Sequence, residues 1–212
     1  MEAVEKKKRN VSAKMTQKVP AYLVAEELDG KPVYYKGYRD VLSGTKTIED
    51  IMGASELQSL VASVILEYLY DHLDRKKYQI ASNELGLHIE KRNNLSMDVV
   101  VYEKEQFKTS PISRNYSVRP PRVVIEIDIE GDFPNQQEFA NYYLKKTQKL
   151  LDFGVRQVIW FFTDVRKVVI AEPGKPWLTV DWQEEIMLFN HYRFSIKNLL
   201  ESSGLPFNFE AE

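Results

Sequence analysis

Two periods of apolar residues run along this chain, and each change of period marks an element. Val123-Val124-Ile125-Glu126-Ile127-Asp128-Ile129 reads as a strand. A period of two sends Val123, Ile125, Ile127 and Ile129 to one face, and Glu126, Asp128 and Glu130 to the other. Met97 to Tyr102 is a second apolar strand, with Asp98 near its start. Leu57, Leu60, Val61, Val64, Tyr68 and Leu69 recur at steps of three and four, predicting a helix that ends near Leu73. Ser55 and Gln58 fit a capping box at its start. A second long helix is predicted from about Asn135 to Phe153, stopped by Gly154. Phe139, Tyr143, Leu150 and Phe153 lie along one face of it.

The remaining segments are shorter. Residues 22–28 and 32–35 flank Asp29-Gly30, the signature of a hairpin. The stretch onward to Lys46 reads as a loop, and Thr47 to Met52 as one short helical turn. Tyr78 to Ala81 and Leu85 to Glu90 read as two strands or one strand with a bend, followed by a turn at Asn93-Asn94. Phe107 to Pro121 is a polar connection. Val155 to Thr163 and Arg166 to Glu172 form a hairpin, Trp177 to Trp182 another strand, and Phe194 to Leu200 a terminal helix, with a frayed tail after Gly204. The order predicts an α/β or α+β domain with a mixed central sheet flanked by helices. The expected organisation is a flexible basic arm over residues 1–19 and one domain over 20–212, with an N-terminal hairpin.

Composition narrows the chemistry. There is no cysteine among 212 residues, which excludes disulfides and thiolate zinc sites. Only His72, His88 and His191 could offer imidazole, so any metal would be held by oxygen, favouring Mg2+ or Mn2+. The formal charge of −2 does not announce a nucleic-acid binder, although Lys6-Lys7-Lys8-Arg9, Lys14 and Lys18 concentrate positive charge in the arm. No apolar run reaches membrane-spanning length, and none follows the basic N-terminus as in a signal peptide. These features predict a cytoplasmic protein with no membrane partner.

Lys146 breaks a rule. It falls inside the apolar face of the second long helix, between Tyr143 and Leu150. A lysine there either snorkels to water or is buried against a carboxylate, and the preceding strand supplies the nearest ones. Carboxylates from neighbouring strands, Asp98 with Glu126 and Asp128, are one way to hold a hard divalent cation. A solvated strand face is the alternative. Glu56, in the first turn of the first long helix, meets the helix dipole favourably.

Taken in order, Ser55-Glu56, Asp98, Val123-Val124-Ile125-Glu126, Lys146 and Gly154-Val155 resemble the Uma2 family of restriction-endonuclease-like proteins, within the PD-(D/E)XK nuclease fold. The resemblance spans roughly residues 20 to 200. It implies a metal-dependent DNA endonuclease, with Asp98 and Glu126 ligating Mg2+ or Mn2+ and Lys146 as the catalytic lysine. Asp128 stands where ordinary members of the fold carry that lysine, as an extra metal ligand or a partner for Lys146. Glu56 and Glu84 would contribute through water, and the basic arm would hold phosphates. A homodimer would let two sites address two strands. The chain departs from the family at Met97, Glu56-Leu57-Gln58, Ile129 and Trp160. The alternative is a catalytically inactive nucleic-acid-binding or interaction module on the same fold.

Overall fold

The structure is a computed structural model that describes residues 19–109, 111–129, 131–189 and 191–207. Lys6-Lys7-Lys8-Arg9, Lys14, Lys18 and Glu130, each singled out in the sequence, lie outside the described residues.

An eight-stranded mixed sheet forms the centre. The strands β1 (Val24–Leu28) and β2 (Lys31–Tyr34) are the expected hairpin, turned at Asp29 and Gly30, both with positive φ. The long antiparallel pair β3 (Tyr78–Glu90) and β4 (Asn93–Glu103) follows. The bend expected in β3 is a bulge between Ser82 and Leu85, with Asn83 and Glu84 at positive φ. Its turn is Lys91-Arg92, two residues before the predicted Asn93-Asn94, which already belongs to β4. Then come β5 (Val123–Ile127), β6 (Gln157–Phe162), β7 (Lys167–Ala171) and β8 (Leu178–Asp181). The order across the sheet is β2-β1-β4-β5-β6-β7-β8, with β3 on the other edge of β4. Only β5 and β6 run parallel, which requires a crossover between them.

That crossover is α3 (Gln136–Phe153), capped by the Asn135 side chain and ended by Gly154 at φ 117. On the opposite face lie α2 (Glu56–His72) and α4 (Ile196–Ser202). The sheet alternates as the sequence dictates. Val123, Ile125 and Ile127 pack with α2 and α4, whereas Val124 packs with Leu150 and Leu151 of α3. No helix among the described residues is long and apolar enough to cross a membrane.

Three local expectations fail. The predicted loop after β2 contains the six-residue helix α1 (Tyr38–Ser43), while 47–52 forms turns. No residue of α1 is buried, so no apolar stripe announces it. The Ser55 cap is present, but Gln58 does not reach back to complete the box; it is buried and turns to the sheet. A small hairpin, β9 (Ile186–Leu188) with β10 (Tyr192–Phe194), has strands too short for a readable period and takes in Phe194, so the terminal helix begins at Ile196 and not at Phe194.

Candidate active site

The site lies where the sheet forks. One edge of β4 is paired along its length by β3. On the other edge, β1 pairs at Glu27–Asn94, and β5 pairs only from Val99–Ile125 onward. Residues 95–98 of that edge face a gap between two diverging strands. Buried backbone groups in such a gap must find other partners. Four side chains supply them. Glu26 Oε1 accepts from Ser96 N at 2.8 Å, and Lys146 Nζ donates to Ser96 O at 2.9 Å. Asp98 Oδ2 accepts from Ile127 N at 2.6 Å, and Gln58 Nε2 donates to Ile127 O at 2.8 Å. Extending the antiparallel register by one step places Asp98 opposite Glu126, as side-chain neighbours.

Lys146 is buried, with 3% of its surface exposed, so it does not snorkel. The helix stripe is centred on Tyr142, Lys146 and Leu150, with Phe139, Tyr143 and Phe153 half-buried beside it. The ammonium meets Glu126 Oε1 at 3.0 Å, one of the carboxylates on the preceding strand and not Asp128, the partner named from the sequence. It also meets Glu26 Oε1 at 2.7 Å, a partner the sequence reading missed. The available signal was the period of β1, which puts Glu26 on the same side as buried Leu28. Tyr142 Oη donates to Glu26 Oε2 at 2.5 Å. The Trp160 ring centroid is 5.5 Å from the ammonium, and its indole N–H donates to Thr147 Oγ1.

Electrostatics follow from this crowding. Burial pushes the Glu126 carboxyl well above its ordinary value, against the pull of Lys146. Burial also pushes Asp98 up to about 6, opposed by the Ile127 N–H bond and Lys146. For Lys146, burial works to lower the pKa, but Glu126 and Glu26 outweigh it and hold the group firmly as ammonium. The same burial, with Glu26 alongside, raises Tyr142, which stays a phenol.

The other candidates fall in different places. Strand β5 ends at Ile127, and Asp128 takes φ 61, so the expected alternation stops before it. The Asp128 carboxylate accepts from Thr163 N at 2.7 Å and Thr163 Oγ1 at 2.6 Å, tying the end of β5 to the end of β6. Burial raises its pKa despite these bonds. It touches the pocket wall, but Glu26 and Glu126, rather than Asp128, pair with Lys146. Asp128→Ala is expected to cost about 2 kcal/mol, read as a lower urea midpoint. An unchanged midpoint would release Asp128 from this structural duty. Glu84 is exposed at the β3 bulge, lines the pocket, and its charge raises Asp98. Glu56 is exposed in the first turn of α2 and lines no part of the pocket; Gln58 is the α2 residue that reaches the site.

Glu26, Asp98, Glu126, Tyr142, Lys146 and Trp160 together line a pocket of about 50 Å³. That is room for an ion and a few waters, since one water needs ~10–15 Å³. A cleft of about 1000 Å³ shares its wall at Asp128, Ile129 and Gly131. Among the described residues, no three His, Cys, Asp or Glu side chains form a ready-made ligand set. Two carboxylates plus water is nevertheless a common way of holding Mg2+. One further observation fits such an ion. Glu126 Oε1 is buried and, among the described residues, is met by the Lys146 ammonium at 3.0 Å and by no other donor. So sparsely satisfied a buried carboxylate oxygen is rare in folded proteins.

No family model matches the sequence, and no curated protein does. Among solved structures, the chain is similar to a crystal structure described as "a putative nuclease belonging to DUF820 from Anabaena variabilis", with 16% identity over 83% of this chain and 89% of that one, at a TM-score of 0.57. At that identity the likeness establishes the fold: a mixed sheet flanked by helices, shared with a structure described in those words.

Proposed function

We propose that this chain is a metal-dependent endonuclease that hydrolyses DNA phosphodiester bonds. The observation that carries the reading is Glu126 Oε1, buried with the Lys146 ammonium 3.0 Å away as its one donor, at the fork where Asp98 also arrives. The shared fold supports the same class of chemistry. Asp98 and Glu126 would hold Mg2+ or Mn2+. When bound, such an ion polarises the phosphate and eases ionisation of a water.

The chain's own residues divide the remaining work. Lys146 is held as ammonium by two buried carboxylates, so it serves as a fixed positive charge beside the phosphate and not as a base. Trp160 and Tyr142 wall off water on the α3 side. The adjoining cleft is large enough for a polynucleotide strand, but its lining carries Asp40, Asp50, Asp128, Asp132 and Asp164 against Lys36 and Lys46. Phosphate contacts there fall to the two lysines, and affinity depends on the bound cation.

A second reading has its own observation. Glu26, Asp98 and Lys146 each satisfy a backbone group at the fork, as parts of an inactive binding module would. The two readings separate in one assay, cleavage of mixed DNA substrates with Mg2+ or Mn2+. Wild type is expected to cut and Glu126→Ala to lose cutting. Cutting that survives in Glu126→Ala overturns the assignment of the site. Absence of cutting by wild type favours the binding module.

A further inference from the structure

Glu26 belongs to a hairpin outside the β4–β5–α3 unit that carries Asp98, Glu126 and Lys146, yet it is the residue most completely bonded in the pocket. Its Oε1 accepts from Ser96 N at 2.8 Å and from Lys146 Nζ at 2.7 Å. Its Oε2 accepts from Tyr142 Oη at 2.5 Å. An oxygen offers two lone-pair directions, so Oε1 is full. Glu126 is the opposite case: the same ammonium is the one donor near its Oε1. The two carboxylates share one cation and divide it unequally. Two of the three ammonium protons go to Glu26 and Ser96 O, and Glu126 faces the remaining side of the same cation.

We infer that Glu26 is a positioning residue for the divalent cation: by anchoring Lys146 and balancing its charge, it leaves Glu126 lone pairs and charge with which to ligate. This rests on the cation site proposed above. The charge count agrees. Asp98 and Glu126 facing Lys146 alone would be half neutralised, which weakens their attraction for a dication. With Glu26 opposite Lys146, the ion meets one more negative charge than Asp98, Glu126 and Lys146 alone would offer. The β1–β2 hairpin thereby becomes part of the site. It is joined to β4 by the Glu27–Asn94 pair and to α3 and the end of β3 by Lys149, which bridges Asp29 at 2.8 Å and Glu90 at 3.0 Å.

The test is Mg2+ binding by calorimetry on the full chain without DNA, comparing wild type with Glu26→Gln. Glutamine keeps an acceptor for Ser96 N and Lys146 but not the charge. Affinity is expected to fall about 10–100-fold, the range for partners that orient metal ligands, with the thermal midpoint recorded alongside. Equal affinity in a folded Glu26→Gln overturns the inference and leaves the nuclease reading standing. Failure of wild type to bind Mg2+ overturns both. If Glu26→Gln does not fold, wild type decides alone through its side-chain carboxyl carbon resonances. Mg2+ is expected to shift Glu126 and leave Glu26 in place. A Glu26 shift as large as that of Glu126 would make Glu26 a ligand and overturn its positioning role.

Discussion

Lys146→Met is expected to destabilise the protein by about 3–5 kcal/mol at neutral pH, the usual cost of removing one partner from a buried ion pair. The ammonium stands between Glu26 at 2.7 Å and Glu126 at 3.0 Å, and all three groups are buried. Methionine fills similar volume, so the loss is electrostatic and not a cavity effect. It strands two carboxylates and also leaves Ser96 O without its donor. Urea denaturation at pH 7 and pH 5 checks the cause. Burial already raises the Glu126 carboxyl well above its ordinary value, and without Lys146 it rises further. Acidification then supplies the proton that replaces the missing cation, so the penalty shrinks at pH 5. A neutral or stabilising substitution at pH 7 would mean that Lys146 contributes nothing to folding, as a snorkelling lysine would.

That lysine is also the clearest case of a site legible in sequence. An ammonium on the apolar face of an amphipathic helix has to be either wet or paired, and the strand just before it offered Glu126. The second partner was hidden because Glu26-Glu27 reads as polar hairpin surface, and the period of β1, which sets Glu26 on the side of Leu28, is the one local hint of which of the two turns inward. The fork itself is a matter of register between β1, β4 and β5. Register depends on residues far apart in sequence, so no local pattern shows a gap at 95–98.

Asp128 shows the converse error. The alternation from Val123 to Ile129 is unbroken in sequence, yet the strand stops at Ile127: Asp128 N makes the last ladder bond to Phe161 O, then its backbone turns to φ 61 and its side chain caps Thr163. Both partners belong to β6 and the turn after it, some 35 residues on. Likewise Gln58 satisfied a capping pattern in the sequence but is drawn to Ile127 O, a bond visible only once α2 lies on the sheet. The elements were readable because their periods are local. The polar contacts that assemble the pocket are long-range, and only the charge forced into an apolar stripe betrayed one in advance.

Asp98→Asn is expected to abolish metal-dependent cleavage and, in the metal-free protein, to raise stability at pH 7 by about 1–3 kcal/mol. Burial lifts the Asp98 carboxyl from 3.8 to about 6. The folded protein therefore holds this proton more tightly than the unfolded chain does. The resulting stabilisation is complete below pH 3.8 and is lost as pH rises through about 6. At ~1.4 kcal/mol per pKa unit the full loss is about 3 kcal/mol. Asparagine avoids it, since its amide oxygen can still accept from Ile127 N and carries no charge to desolvate. The gain should be present at pH 7 and absent near pH 3.5, as thermal melts at both values will read. A protein that keeps a carboxylate where an amide would fold better is maintaining that charge for something other than stability. A fall in stability at pH 7 would remove this argument for a cation ligand, and cleavage surviving in Asp98→Asn would remove Asp98 from the site. Elevated stability together with lost cleavage places its negative charge in the service of the bound ion.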